Sequence, residues 1–275
     1  MVIDAHNHFW QYTEAKYPWI NNQMDVLKKA YLPHDLQILA KESSVNGCVA
    51  VQAQENEEDN DFLLNLAEGS QFIRGVVGWI DMLHTGTADR LEYYSRFSKM
   101  KGFRYVLEDK KDRGLMLHPN FKKNIGCLKA YDFTYDILIF NDQLVFANEL
   151  VKQFSNQKFV IDHLAKPSIE LNEISEWEKD IRRIAEYENT YCKISGMVTE
   201  AKWDNHKYLD FVPYLETILE AFGTKRLMFG SDWPVCLLAA DYKYVIELCR
   251  NFISTLSKSE QDDIMGNNAI IFYNI

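Results

Sequence analysis

The chain has 275 residues, 47% apolar and 25% charged, with a net charge of −10. That length buries a core without disulfide or metal staples, and the composition is far from that of a disordered chain. Lysine and arginine are scattered among acids, as in Lys110–Arg113 and Glu178–Glu188, not gathered into a basic stripe, which argues against nucleic acid as a partner.

Runs rich in β-branched and aromatic residues predict strands at Val2–His6, Gly47–Gln52, Arg74–Trp79, Gly102–Val106, Thr134–Ile139, Phe159–His163, Thr190–Ser195 and Leu227–Ser231. Most lack polar alternation, as parallel strands covered on both faces do. Apolar residues at helical intervals predict helices over Phe62–Ala67, Leu144–Phe154, Trp177–Ala185, Val212–Phe222 and Tyr242–Leu256. Strand alternating with helix eight times predicts the α/β class and one (β/α)8 barrel over residues 1–275. The segment between Trp10 and Val45 is longer than one helix requires and predicts a loop over the barrel mouth. Leu107–Pro119 predicts a second loop, and Asp262–Ile275 a closing helix on the barrel bottom. An open sheet built for a dinucleotide would carry a glycine-rich turn after its first strand, but His8-Phe9-Trp10-Gln11 has no glycine.

The chain opens without a basic, then apolar leader, and no apolar run approaches the roughly 20 residues of a membrane span. Cys48, Cys127, Cys192, Cys236 and Cys249 are odd in number and widely spaced. Reduced thiols and a cytoplasmic location are the expectation, with no membrane partner.

Three strand ends carry ionisable groups. His6-Asn7-His8 ends the first strand, and residues at i and i+2 share a face, so the two imidazoles converge. The sixth run ends on His163 and the eighth on Ser231-Asp232. Barrel active sites lie at this end of the strands. Taken singly, His163 reads as a backbone-bonded histidine and Asp232 as a turn or helix-cap residue. Three such ends in one chain favour a shared site.

Here the chain resembles the amidohydrolase superfamily, amidohydrolase-2 type, and within it the sugar-lactone hydrolases akin to L-fuconolactonase and L-rhamnonolactonase. The resemblance rests on Ile3-Asp4-Ala5-His6-Asn7-His8-Phe9-Trp10, Tyr17-Pro18-Trp19 and Val51-Gln52-Ala53. It continues through Gly75–Asp81, Gly102-Phe103-Arg104, Tyr135-Asp136, Asp162–Pro167, Cys192–Gly196 and Phe229–Val235, and ends at Asn267-Asn268-Ala269. It implies a barrel that opens lactone rings, a small-molecule substrate, and either one divalent ion such as zinc or none. Members with two metals carry a bridging carboxylate or lysine on strand four and a histidine on strand five. Here those strands offer Arg104 and Thr134–Ile139, without histidine.

On this reading Asp232 is the general base and later the proton donor, with His163 and Arg104 beside it. His6, His8, His163 and Asp232 are the candidate metal ligands, or else the histidines donate to a developing oxyanion. Gln52, Trp79, Arg104, Tyr135, Lys166, Trp203 and Trp233 are the candidate substrate contacts, the aromatics by stacking on sugar C–H groups. The alternatives are a lactonase or decarboxylase for a carboxylated cyclic substrate, a metal-dependent nuclease, and a non-catalytic binding barrel. The oligomeric state stays open.

Overall fold

A computed structural model describes residues 1–275. All eight runs form strands: β1 (Ile3–Asn7), β2 (Gly47–Val51), β3 (Ile73–Gly78), β4 (Met100–Val106), β5 (Thr134–Leu138), β6 (Phe159–Ile161), β7 (Thr190–Ile194) and β8 (Leu227–Phe229). Each pairs parallel with the next in chain order. Beyond the strand ends, β8 meets β1 through two backbone bonds. Asp232 N–H donates to the His6 carbonyl at 2.8 Å, and His8 N–H to the Trp233 carbonyl at 2.7 Å. The seam that closes the barrel is therefore also what sets Asp232 beside the two histidines.

Helices fill the crossovers: α1 (Pro33–Glu42), α2 (Glu57–Glu68), α3 (Thr87–Tyr94), α4 (Pro119–Leu128), α5 (Leu144–Gln153), α6 (Ser175–Ala185), α7 (Met197–Glu200) and α8 (Tyr208–Phe222). After β8 come α9 (Tyr242–Ile253), α10 (Lys258–Asp262) and α11 (Asn268–Tyr273). In α6, Trp177, Ile181 and Ile184 fall on one face and are buried. The sequence reading misses α3 and α4. In α3 the apolar face is short, with Leu91 and Tyr94 buried. In α4, Pro119 opens the helix where its missing N–H costs nothing, and lysines interrupt the buried Phe121, Ile125 and Leu128. Helix α8 begins four residues before the expected Val212, because Pro213 sits inside it instead of starting it.

Ile3, Ala5, Val49, Val51, Val77, Val160 and Met228 fill the lower barrel, and Phe272 and Tyr273 of α11 join them from below. A larger core lies between strands and helices. All five cysteines are free, four of them buried. No helix is long and apolar enough to cross a membrane.

Candidate active site

Strand β1 changes face as it leaves the barrel. Ile3 and Ala5 belong to the inner core, while Asp4 points outward and accepts from Ser231 N–H (2.8 Å), Ser231 Oγ (2.6 Å) and Tyr242 Oη (3.3 Å). The register against β2 slips between Asp4 and Asn7. Such an irregularity re-aims side chains. His6 thus turns inward next to Ala5, Asn7 turns out to the Val49 carbonyl (3.1 Å), and His8 turns in again. Gly230 of the β8 exit lets this happen, since a Cβ there would lie 2.7 Å from His6 Cβ.

Strand β6 stops at Ile161, two residues before the predicted end. His163, Leu164, Ala165 and Lys166 then hold φ of 54°, 55°, 58° and 48°. The left-handed region costs an L-residue about 1–2 kcal/mol. The run is held by a Lys166 N–H bond to the His163 carbonyl (2.7 Å) and a Trp177 Nε1–H bond to the Leu164 carbonyl (2.7 Å). Asp232 has φ of 56°. Strain therefore falls on the residues that aim His163, Lys166 and Asp232, a pattern common where function fixes a side chain. Gly196 gives His163 room: a Cβ there would sit 2.5 Å from its Nδ1. That nitrogen instead meets Ser195 Oγ at 2.8 Å.

These ends surround a cavity of about 770 Å³ at the C-terminal face. His8, His163, Asp232, Arg104 and Gln52 form its base. Trp19 and Met24 from the loop after β1, with Glu108 and Asp109 from the loop after β4, form part of the wall, so both expected loops overlie the site. Asp232 Oδ1 lies 3.4 Å from His8 Nε2, 3.7 Å from His6 Nε2 and 3.9 Å from His163 Nε2. His6 itself is fully buried beneath His8 and His163.

Burial raises the pKa of Asp232, but His163, His8 and His6 outweigh it and hold the carboxyl below the usual range. Burial drops His163 to about 4 against the pull of Asp232 and Asp162. The base of the cavity thus presents a carboxylate beside a neutral His163.

Under the histidines lies a charge network in which the sequence reading placed only Arg104. Lys193 of β7 is fully buried, 2.5 Å from Asp136 Oδ2 and 2.9 Å from Asp162 Oδ1. Tyr273 Oη donates to Asp136 at 2.7 Å. Arg104 pairs with Asp162 (3.1 Å) and donates to the Gln52 carbonyl (2.6 Å). Arg104 was expected beside Asp232 and as a substrate contact, and it does line the cavity. It is 4% exposed and mostly committed to these partners. The available signal was a lone charge inside an apolar parallel strand, which must find a counter-charge.

Of the remaining expected contacts, Gln52, Lys166 and Trp203 line the cavity. Lys166 lies between Glu108 (2.5 Å) and Glu200 (4.0 Å), neither of which the sequence singled out. Three expected contacts do not reach it. Tyr135 alternates with inward-facing Asp136, so it points to the helices and packs on Phe121 and Phe159. Trp233 is buried against Phe9 and Tyr31. Trp79 is held by the Asn60 carboxamide at both backbone groups and stacks on Tyr105.

The donor set suits a single ion. His6 Nε2, His8 Nε2 and Asp232 Oδ1 form a triangle with edges of 3.2, 3.4 and 3.7 Å. Bonds of about 2.0–2.1 Å at tetrahedral angles give edges near 3.3 Å. His163 falls in a second grouping, with His6 and Asp162.

A family model described as amidohydrolase matches residues 3–275. The L-fucono-1,5-lactonase of Burkholderia multivorans is 36% identical over 282 residues, spanning 98% of this chain and 95% of that protein. The L-fucono-1,5-lactonase of Burkholderia ambifaria is 32% identical, across 99% and 95%. A crystal structure of an amidohydrolase from Burkholderia multivorans with bound zinc superposes at a TM-score of 0.97 and 36% identity, covering 100% of this chain and 99% of that one.

Proposed function

The chain belongs to the amidohydrolase family, and on that footing we propose that it hydrolyses a neutral, polyhydroxylated lactone derived from a sugar. The observation that carries this reading is Asp232 ringed by three imidazoles at the base of a cavity whose wall is acidic. Six acidic side chains line that cavity (Glu55, Glu58, Glu108, Asp109, Glu200, Asp232) against three basic ones (Lys16, Arg104, Lys166). Such a wall repels a carboxylated substrate and offers acceptors to sugar hydroxyls. Relatives of 36% and 32% identity that carry the name L-fucono-1,5-lactonase point the same way.

Ring opening needs a deprotonated water, a stabilised oxyanion and a proton for the departing ring oxygen. Asp232 takes a proton from the attacking water and returns it to the leaving alkoxide, so one carboxylate serves both steps. His163, with Nδ1 bonded to Ser195, presents Nε2 to the cavity as a donor for the carbonyl oxygen. Arg104 adds positive potential beneath it. Trp19 and Trp203 offer faces to the ring carbons, and the Glu108–Lys166–Glu200 group offers both acceptors and a donor to hydroxyls. His6, His8 and Asp232 are the residues that would hold a divalent ion, which supplies Lewis acidity toward the carbonyl and the attacking water.

A pH-indicator assay over aldono-1,4- and 1,5-lactones, a carboxylated pyrone and an amide, with and without chelator, tests this reading. Turnover of aldonolactones is expected. Turnover of the pyrone or the amide alone would contradict it.

A further inference from the structure

We propose that Lys193 sets how readily the site takes a metal ion, by holding His6 in the tautomer whose Nε2 carries the proton. An ammonium has three protons and no lone pair. The three acceptors nearest Lys193 Nζ are Asp136 Oδ2 (2.5 Å), Asp162 Oδ1 (2.9 Å) and His6 Nδ1 (3.1 Å), and the contacts to Asp136 and His6 have hydrogen-bond geometry. A ring nitrogen that accepts from an ammonium is bare, so the single proton of His6 sits on Nε2. The other side of the ring agrees. His8 Nδ1 lies 2.9 Å from the Val51 carbonyl, which can only accept, so a neutral His8 has a bare Nε2. The 3.2 Å contact between the two Nε2 atoms is then His6 donating to His8. Arg104 Nη1, at 3.4 Å from His6 Nε2, favours the opposite tautomer, but it is farther than either Lys193 or His8 and has shorter partners of its own.

An ion on His6 Nε2 needs that nitrogen bare and the proton on Nδ1, donating to an acceptor. Such an acceptor stands ready. Asp162 Oδ1 lies 3.5 Å from His6 Nδ1; it is ion-paired with Lys193 at 2.9 Å but makes no hydrogen bond of good geometry, so it can accept from the ring. The ring therefore has two settings. In one, Lys193 keeps its third acceptor and the imidazoles bond each other. In the other, the proton has moved from Nε2 to Nδ1, Asp162 accepts it, and Lys193 loses a partner. Apparent metal affinity falls by the fraction of molecules in the competent setting. The inference rests on His6, His8 and Asp232 as the ion-holding set and is independent of which substrate is hydrolysed.

The experiment uses the full chain, stripped with chelator and gel-filtered. Two-bond nitrogen–proton spectra of histidine labelled with nitrogen-15, with His6 assigned by comparison with His6→Asn, report the tautomer. The expected result is Nε2–H without metal and Nδ1–H after one equivalent of zinc. A metal-free His6 already protonated on Nδ1 overturns the proposal. Zinc affinity is then read by competition with a fluorescent chelator. Lys193→Met alone strands two buried carboxylates and can fail to fold, so the Lys193→Met/Asp136→Asn pair, which keeps the charge balance, is the working variant. It is expected to bind zinc at least tenfold tighter than the wild type. Equal or weaker binding overturns the proposal. No zinc binding by either protein overturns the ion-holding set and the proposal together.

Discussion

Asp232 and Glu200 face one cavity with their pKa values moved in opposite directions. Asp232 is held ionised by its histidines, whereas burial pushes Glu200 up to about 7 even against the charge of Lys166. A carboxyl raised from its ordinary 4.5 favours the fold when protonated, so this contribution is complete below pH 4.5 and is lost as pH climbs through 7. Glu200→Gln should therefore match the wild type at pH 4 and exceed it at pH 8.5 by about 1–2 kcal/mol, a range that allows for partial exposure. Urea unfolding at the two pH values checks this; an equal gap at both would refute it. The residues legible in the sequence were those that end an apolar run: His6, His8, His163 and Asp232. Asp136 and Lys193 instead sit inside apolar strands and Asp162 just past one, and their partners lie up to 187 positions away, so only barrel closure brings them together. Trp79, Tyr135 and Trp233 were misplaced because residue type says nothing of which face a side chain takes.

Elements matter here chiefly where they stop. All eight strands were legible as apolar runs, yet the early end of β6 was not, because the turn that follows uses a left-handed backbone that no glycine announces. Gly196 tests how tightly such a turn holds its histidine. Alanine there meets His163 Nδ1 at 2.5 Å and also bears a φ of 65°. Gly196→Ala is expected to lower kcat/KM at least tenfold and stability by about 1–3 kcal/mol. Gly223 has the same φ with nothing within 4 Å of an added Cβ. Its ψ of 175° is a conformation nearly confined to glycine, so Gly223→Ala should cost about 1–3 kcal/mol in stability and leave kcat/KM unchanged. Equal activity losses in the two variants would show that backbone strain, not the push on His163, is responsible.

At the scale of the whole molecule, the barrel is sealed at one end and worked at the other. Phe272 and Tyr273 close the bottom, and the Tyr273 hydroxyl reaches Asp136, linking the last helix to the charges under the site. The closing helix was legible from the C-terminal sequence, but that link was not. Phe272→Ala should cost about 3–5 kcal/mol in unfolding free energy with KM unchanged, as thermal melts and steady-state kinetics would show; a large KM change would mean that the plug shapes the cavity. The central claim remains that side chains remote in sequence meet around Asp232 to open a lactone. Its most direct measurement is kcat of Asp232→Asn on the best aldonolactone, beside the melting temperature of the same sample. The expected result is a loss of about 10³-fold or more with the melting temperature kept, whereas wild-type turnover by a folded Asp232→Asn protein would contradict the claim.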